Sequence, residues 1–294
     1  MSKANTYNTT SATPRAGVAS PRRSRIRALP LGPGSWVALG FVLLCAAVSL
    51  LLPLLPPTDP TAQDTSAILA TPSAEHWIGT DQLGRDLFSR LLWGLRTSMF
   101  AAFTAVAVAT AIGVPLGLAA GYHRGWFDAL TARTADTLLT VPALILLLTV
   151  QTALQTGIQG QMVALGVIFA PRIYRIVRTE TIGLAHKPFM IAGRMSGCST
   201  LRIALRYLLP GVRAQAVVQV SYLLGLALVI EAGISFLGVG VRPPDSSLGT
   251  LLTDAGTMLA TAPRVVLVPA AVLTALILSL NLLGDTATKE TQHA

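Results

Sequence analysis

The apolar positions of this chain fall into long uninterrupted runs separated by short polar stretches, with little of the alternation that marks half-buried strands or soluble amphipathic helices. The first run, "WVALGFVLLCAAVSLLLPLLP" (36–56), is long enough to cross a bilayer, which takes about 20 residues over about 30 Å. It is longer than the roughly 7–15-residue core of a cleavable signal and ends in prolines, so it reads as a retained span. Further spans are expected at Phe100–Tyr122, Asp136–Leu154, from about Gln161, at Ala214–Val239 and at Val265–Leu283. Within the second, Gly113, Gly117 and Gly121 recur at the four-residue spacing that lets helices pack closely in lipid. The fourth is apolar only as far as "PRIYRIVR", whose arginines must turn toward the cytosol or be shielded by other helices. The pattern predicts an all-α membrane protein of six transmembrane helices.

Composition agrees. Hydrophobic residues make up 52% and charged residues 12%, against about a quarter charged in soluble domains. The net charge of +9 is first a topological signal. With both termini inside, 17 of the 22 basic residues lie on the cytosolic side, as the positive-inside rule requires. They include Lys3, Arg15, Arg22, Arg23, Arg25 and Arg27 of a Ser/Thr/Pro-rich stretch, 1–35, that reads as a disordered cytosolic tail. Residues 57–99 then form an external segment, 100–285 the remaining five-helix core with a cytosolic loop at 179–213, and 286–294 a short cytosolic tail.

The external segment holds "GTDQLGRD" (79–86), which has nearly the glycine spacing of a phosphate loop. Such a loop needs Lys and Ser/Thr after its second glycine. Here Arg85 and Asp86 follow, Asp81 adds a second carboxylate that would repel phosphate, and the position is external, so no nucleotide binds. Beyond it Leu87, Phe88, Leu91, Leu92 and Leu95 recur at helical spacing, with Arg85, Ser89 and Arg96 elsewhere around the helix. That predicts an amphipathic helix along the outer face, capped by Thr80 or Asp81. Glu231 is the only acid in the apolar body of a span, late in the fifth helix and about 27 Å along it. A carboxylate there is expected to reach water or a partner and is a candidate for a pathway or outer-gate role. Arg133 and Asp136, three apart, are expected to pair along one helix. The four histidines and two cysteines form no ligand cluster, no metal is expected, and no span holds a nucleophile facing a base.

Several segments together resemble one family. "IGTDQLGRDLFSRLLWGLRTSM", "GWFDALTARTADTLLTVPALIL", "SFLGVGVRPPDSSLGTLL" and "NLLGD" are similar, in order, to the signatures of the C-type permease subunits of dipeptide, oligopeptide and nickel ABC importers. The resemblance implies the type I ABC importer permease fold and a bacterial inner (cell) membrane location. It makes Gly79, Thr80, Asp81, Gly84, Arg85, Asp86 and Arg90 the external family motif. It also implies a coupling helix in the 4–5 loop that docks on the ATPase, here Ile191, Ala192, Gly193 and Gly197, with Ile191 standing where the family pattern has glutamate. Implied partners are a related permease as heterodimer, two cytosolic ATPase subunits and an external substrate-binding protein, all in membrane lipid and without nucleic acid. ATP and magnesium would sit on the ATPases, with no cofactor and no catalytic residue on this chain. Di- and oligopeptides are the first expectation for substrate and nickel or a metal chelate the second; a stand-alone ion-coupled carrier and a membrane scaffold are the rivals from other classes.

Overall fold

The computed structural model describes residues 32–54, 59–155 and 157–293, so the basic stretch 1–31 lies outside the described residues. Ten α-helices follow one another, and among the described residues the only β-type pairing is one isolated bridge, Thr80 to Asp86. Helix α1 (Pro33–Leu51) opens with proline in its first turn, where the missing N–H costs nothing, and passes into a 3₁₀ turn over Leu52–Leu54. Its Leu43, Leu44, Leu50 and Leu51 are exposed, which in hydrocarbon is a lipid face and carries no penalty.

Helix α2 (Leu87–His123) is one continuous element of 37 residues. The expected outer-face helix is therefore not separate: it is the first three turns of the second span. Its cap is neither Thr80 nor Asp81 but Asp86, whose Oδ2 accepts from the Ser89 N–H at 2.8 Å. The predicted polar face is largely enclosed too: Arg85 and Ser89 are buried, with Leu87 and Leu91, and Arg96 is half-buried.

The third span breaks. Helix α3 (Gly125–Thr140) and helix α4 (Ala143–Leu154) meet at an angle of 89°. Pro142 explains the break, because the residue before proline is pushed out of the helical region, and Val141 is extended at φ −88°, ψ 128°. Helix α5 (Ile158–Ala185) forms the fourth span. The short α6 (Pro188–Met195) and α7 (Thr200–Ile203) lead through a π-helical stretch, Ala204–Leu208, into α8 (Leu209–Phe236). A loop and α9 (Leu248–Ala255) return the chain to α10 (Pro263–His293), which stays helical well past Asp285, where a tail is expected from the sequence. Among the described residues five helices are long and apolar enough to span a membrane, and six spans result when the bent α3–α4 pair counts as one.

The tightest packing joins α2 to α5. A Cβ built on Gly113, Gly117 or Gly121 would sit 2.7–2.9 Å from the carbonyl oxygens of Ala170, Tyr174 and Arg178, and 2.7–2.8 Å from the Cβ atoms of Ile173, Val177 and Thr181. Gly166 returns the arrangement, facing the Ala105 carbonyl at 2.6 Å. Replacing Gly117 by valine is expected to cost on the order of 1–3 kcal/mol by overpacking and to lower the thermal midpoint of the purified protein. Gly183→Ala, on α5 with nothing within 4 Å, is expected to match or exceed wild type in the same thermal scan.

Candidate functional site

The external motif is a knot of buried charge. Gly79 and Gly84 have φ of +88° and +71°, a region L side chains avoid. A Cβ at either would also run into backbone, the Ala70 carbonyl oxygen for Gly79 and that of Asp64 for Gly84. These glycines fold the loop so that Asp81 points inward. Its Oδ1 accepts from the N–H groups of Leu83 at 2.8 Å and Arg85 at 3.0 Å, while Oδ2 receives Arg85 Nε at 2.8 Å and Arg90 Nη1 at 2.5 Å. Thr80 donates to the Ala67 carbonyl and accepts from the Ala70 N–H at 2.8 Å. His76 Nδ1 lies 3.0 Å from Asp86 Oδ1. Arg264, at the start of α10, donates to the Leu69 and Ala70 carbonyls at 2.7 and 2.9 Å and ties the external segment to the last helix. The motif residues thus come together, and their chemistry is positional: the carboxylate is consumed by its own arginines and peptide groups. Burial pushes the Asp81 carboxyl up, but the Arg85 and Leu83 N–H groups and the Arg90 and Arg85 charges outweigh it and hold it below the ordinary value.

Glu231 stands elsewhere and differently from expectation. It is 0% exposed, not open to water. Oε2 accepts from Ser98 of α2 at 2.7 Å and Oε1 from Ser235, one turn on in α8, at 2.8 Å. Ser98 Oγ in turn accepts from the Leu248 N–H at 3.1 Å, the start of α9, which Ser247 and Thr250 close with a reciprocal capping box. Glu231 is thus a bolt through α2, α8 and the external α9. Ser235 was legible as the i+4 neighbour of Glu231; Ser98 and Leu248, 133 and 17 positions away, carry no sequence signal.

On the cytosolic side α6 is held from within and bare outside. Met190 is buried, the Phe189 and Tyr207 rings stand 6.5 Å apart, and the Arg194 guanidinium lies 4.6 Å from the centre of the Tyr122 ring at the end of α2. Ile191 and Met195 are 50% and 85% exposed, Ala192 is exposed, and a Cβ on Gly193 would meet nothing within 4 Å. Gly197 (φ +72°) closes the helix in a Schellman turn, its own N–H donating to Arg194 and that of Cys198 to Gly193. Nothing inside this chain requires small residues at 192 and 193.

Helix α3 covers the arginines of the fourth span unevenly: Arg178 is half-buried, whereas Arg172 and Arg175 stay exposed. Arg178 grips Asp128 through two nitrogens, Nη2 at 2.7 Å, and Tyr174 meets Thr131 at 2.9 Å. Asp136 pairs with Arg175 and not with Arg133 as the sequence suggests: the partner across the helix pair displaces the one along it.

The family described as "Binding-protein-dependent transport system inner membrane component" matches residues 113–289. The chain is 33% identical over 258 residues to the dipeptide transport system permease protein DppC of Haemophilus influenzae, covering 86% of this chain and 88% of that protein. It is 36% identical over 246 residues to the glutathione transport system permease protein GsiD of Pectobacterium atrosepticum, covering 83% and 82%. Among solved structures, the MetNI methionine ABC transporter superposes with a TM-score of 0.54 at 22% identity, covering 66% of this chain and 93% of that one, a likeness of fold.

Asp81→Asn is expected to cost about 3–5 kcal/mol, because it leaves two buried arginines short of their counter-charge; protease cleavage within residues 59–86 would reveal the loosened segment. The depressed Asp81 carboxyl stabilises the segment above its unfolded value of about 4. That contribution is lost as the pH falls through the still lower folded value. Cleavage in wild type is therefore expected to rise only on strong acidification, and Asp81→Asn is expected to lose that rise.

Proposed function

Because the chain belongs to the family of binding-protein-dependent transport system inner membrane components, we propose that it forms half of the translocation pathway of an ATP-driven importer for di- and oligopeptides. It is a multi-pass permease of a bacterial inner membrane and, as the translocation subunit, not the catalytic one. The peptide reading is supported by the relatives, named for dipeptides and for glutathione, itself a tripeptide. A related permease completes the pathway, an external binding protein delivers the substrate, and two cytosolic ATPases with their ATP and magnesium supply the energy.

The observation that carries this reading is α6. Short and anchored by Met190 and by Arg194 on Tyr122, it exposes Ile191 and Met195 to the cytosol, with no bulk at Ala192 and Gly193 to hold a partner off. That is the shape of a ridge that seats in a groove of another protein. Ile191 supplies an apolar contact where the family pattern places a carboxylate. ATPase closure pulls on this ridge, and the attached helices open the pathway alternately to either side.

Met195→Asp changes a side chain with almost no contacts in this chain. In a pull-down from gently solubilised membranes it is expected to cut ATPase recovery about tenfold or more, leave the second permease bound, and abolish uptake of a labelled dipeptide. Gly197→Asp is expected to do the same by placing a charged side chain on a strained left-handed backbone. Recovery of the ATPase at wild-type levels with both variants would overturn the docking assignment; uptake without any ATPase would overturn the importer reading.

A further inference from the structure

Where α3 breaks into α4 there is a cavity of about 220 Å³, lined among others by Leu138, Thr140, Val141, Pro142, Phe169 and Arg172. Three arginines follow at three-residue spacing on α5. Arg178 is met by Asp128 and Arg175 by Asp136. Arg172 has no carboxylate within ion-pair distance among the described residues, yet it is exposed. Its guanidinium lies 5.4 Å from the centre of the Phe169 ring, which backs it.

Two costs meet at this place. Arg172 borders the apolar run of the fourth span, two residues past Ala170, where a bare cation does not face hydrocarbon. Val141 is non-helical in the same cavity wall, and irregular backbone at membrane depth is tolerated only against protein or a water-filled space. A helix break beside an unmatched charge is the arrangement by which discontinuous spans hold charged substrate groups. We propose that Arg172 faces the pathway and is a specificity-determining residue, receiving the free carboxylate of a peptide in this cavity during passage. The carboxylate takes the place that Asp128 and Asp136 fill for the two neighbouring arginines, and the planar guanidinium offers it two parallel N–H donors. An amide in the same position cannot satisfy that fork. The assignment rests on the peptide reading of the substrate.

The test uses the whole importer in proteoliposomes with its binding protein, supplied with saturating alanyl-alanine or its C-terminal amide, for wild type, Arg172→Gln and Arg172→Lys. Loss of a charge-assisted contact predicts about tenfold slower uptake of the free acid by the glutamine variant. Partial recovery is expected in the lysine variant, which restores the charge without the fork, and equal amide uptake in all three. Three results would overturn the assignment: unchanged acid uptake in Arg172→Gln, an equal fall for acid and amide, or loss of the second permease from the purified variant, which would make Arg172 an interface cation. If the amide is not carried by wild type, failure of lysine to rescue the acid overturns it. A wild-type complex that hydrolyses ATP but moves neither compound removes the peptide reading itself, and the ligand class of Arg172 with it.

Discussion

In hydrocarbon two helices gain nothing from hiding apolar surface, since the lipid is as apolar as they are; they adhere by close contact and by polar groups that have nowhere else to go. The α2–α5 pair depends on the first of these. Three glycines at four-residue spacing bring the backbone of one helix onto the carbonyls of the other, and Gly166 answers from the opposite side. Helix α3 then packs on α5, and α8 on both α2 and α5. A misfit at this seam would displace Ser98 from Glu231 as well as Asp128 from Arg178, because each pair straddles helices that the seam positions.

The second source of adhesion is the pairing of polar groups, and its grammar differs by depth. At the external end, Asp81, Arg85, Arg90 and Asp86 are all buried, and the cost of drying them is met by ion pairs and peptide N–H groups within one loop and the helix it caps. In the outer part of the fifth span, Glu231 is met only by hydroxyls. Toward the cytosol, arginines of α5 are met by carboxylates of α3. Among the described arginines of α5, Arg172 alone, beside the broken helix, departs from that grammar.

Hydrophobic run length made the spans legible, because a bilayer imposes the same demand on every one of them. The glycine spacing was equally readable; the short helix ending at Gly197 was reached through the family resemblance, and the Schellman turn that closes it emerged with the structure. What hydropathy does not encode is direction. Leu87 to Leu95 is as compatible with a separate surface helix as with the first turns of a long span; what distinguishes them is that the helix runs on unbroken to His123. The bend at Val141–Pro142 was hidden because proline is common in spanning helices and bends them by varying amounts. Glu231 was correctly singled out as an anomaly but misplaced with respect to water. Its satisfaction comes from Ser98 in another helix, a long-range contact that no local pattern announces. Asp136 shows the same limit: spacing proposes Arg133, while packing supplies Arg175.

These separate features are joined by one element. Helix α2 is about 56 Å long at 1.5 Å per residue. Its first turn is capped by Asp86 within the external knot, and Ser98 contacts the Glu231 bolt three turns on. Its last turn places Tyr122 beneath Arg194 of the cytosolic α6. A jointed path would dissipate a displacement at each hinge, whereas an unbroken helix clamped by α5 along its second half moves as a body. Under the importer reading, a pull on α6 would reach the external face through the same rod that carries the Gly113–Gly121 seam. The break at Val141–Pro142 in the neighbouring span, with Arg172 beside it, is where such a movement would be taken up.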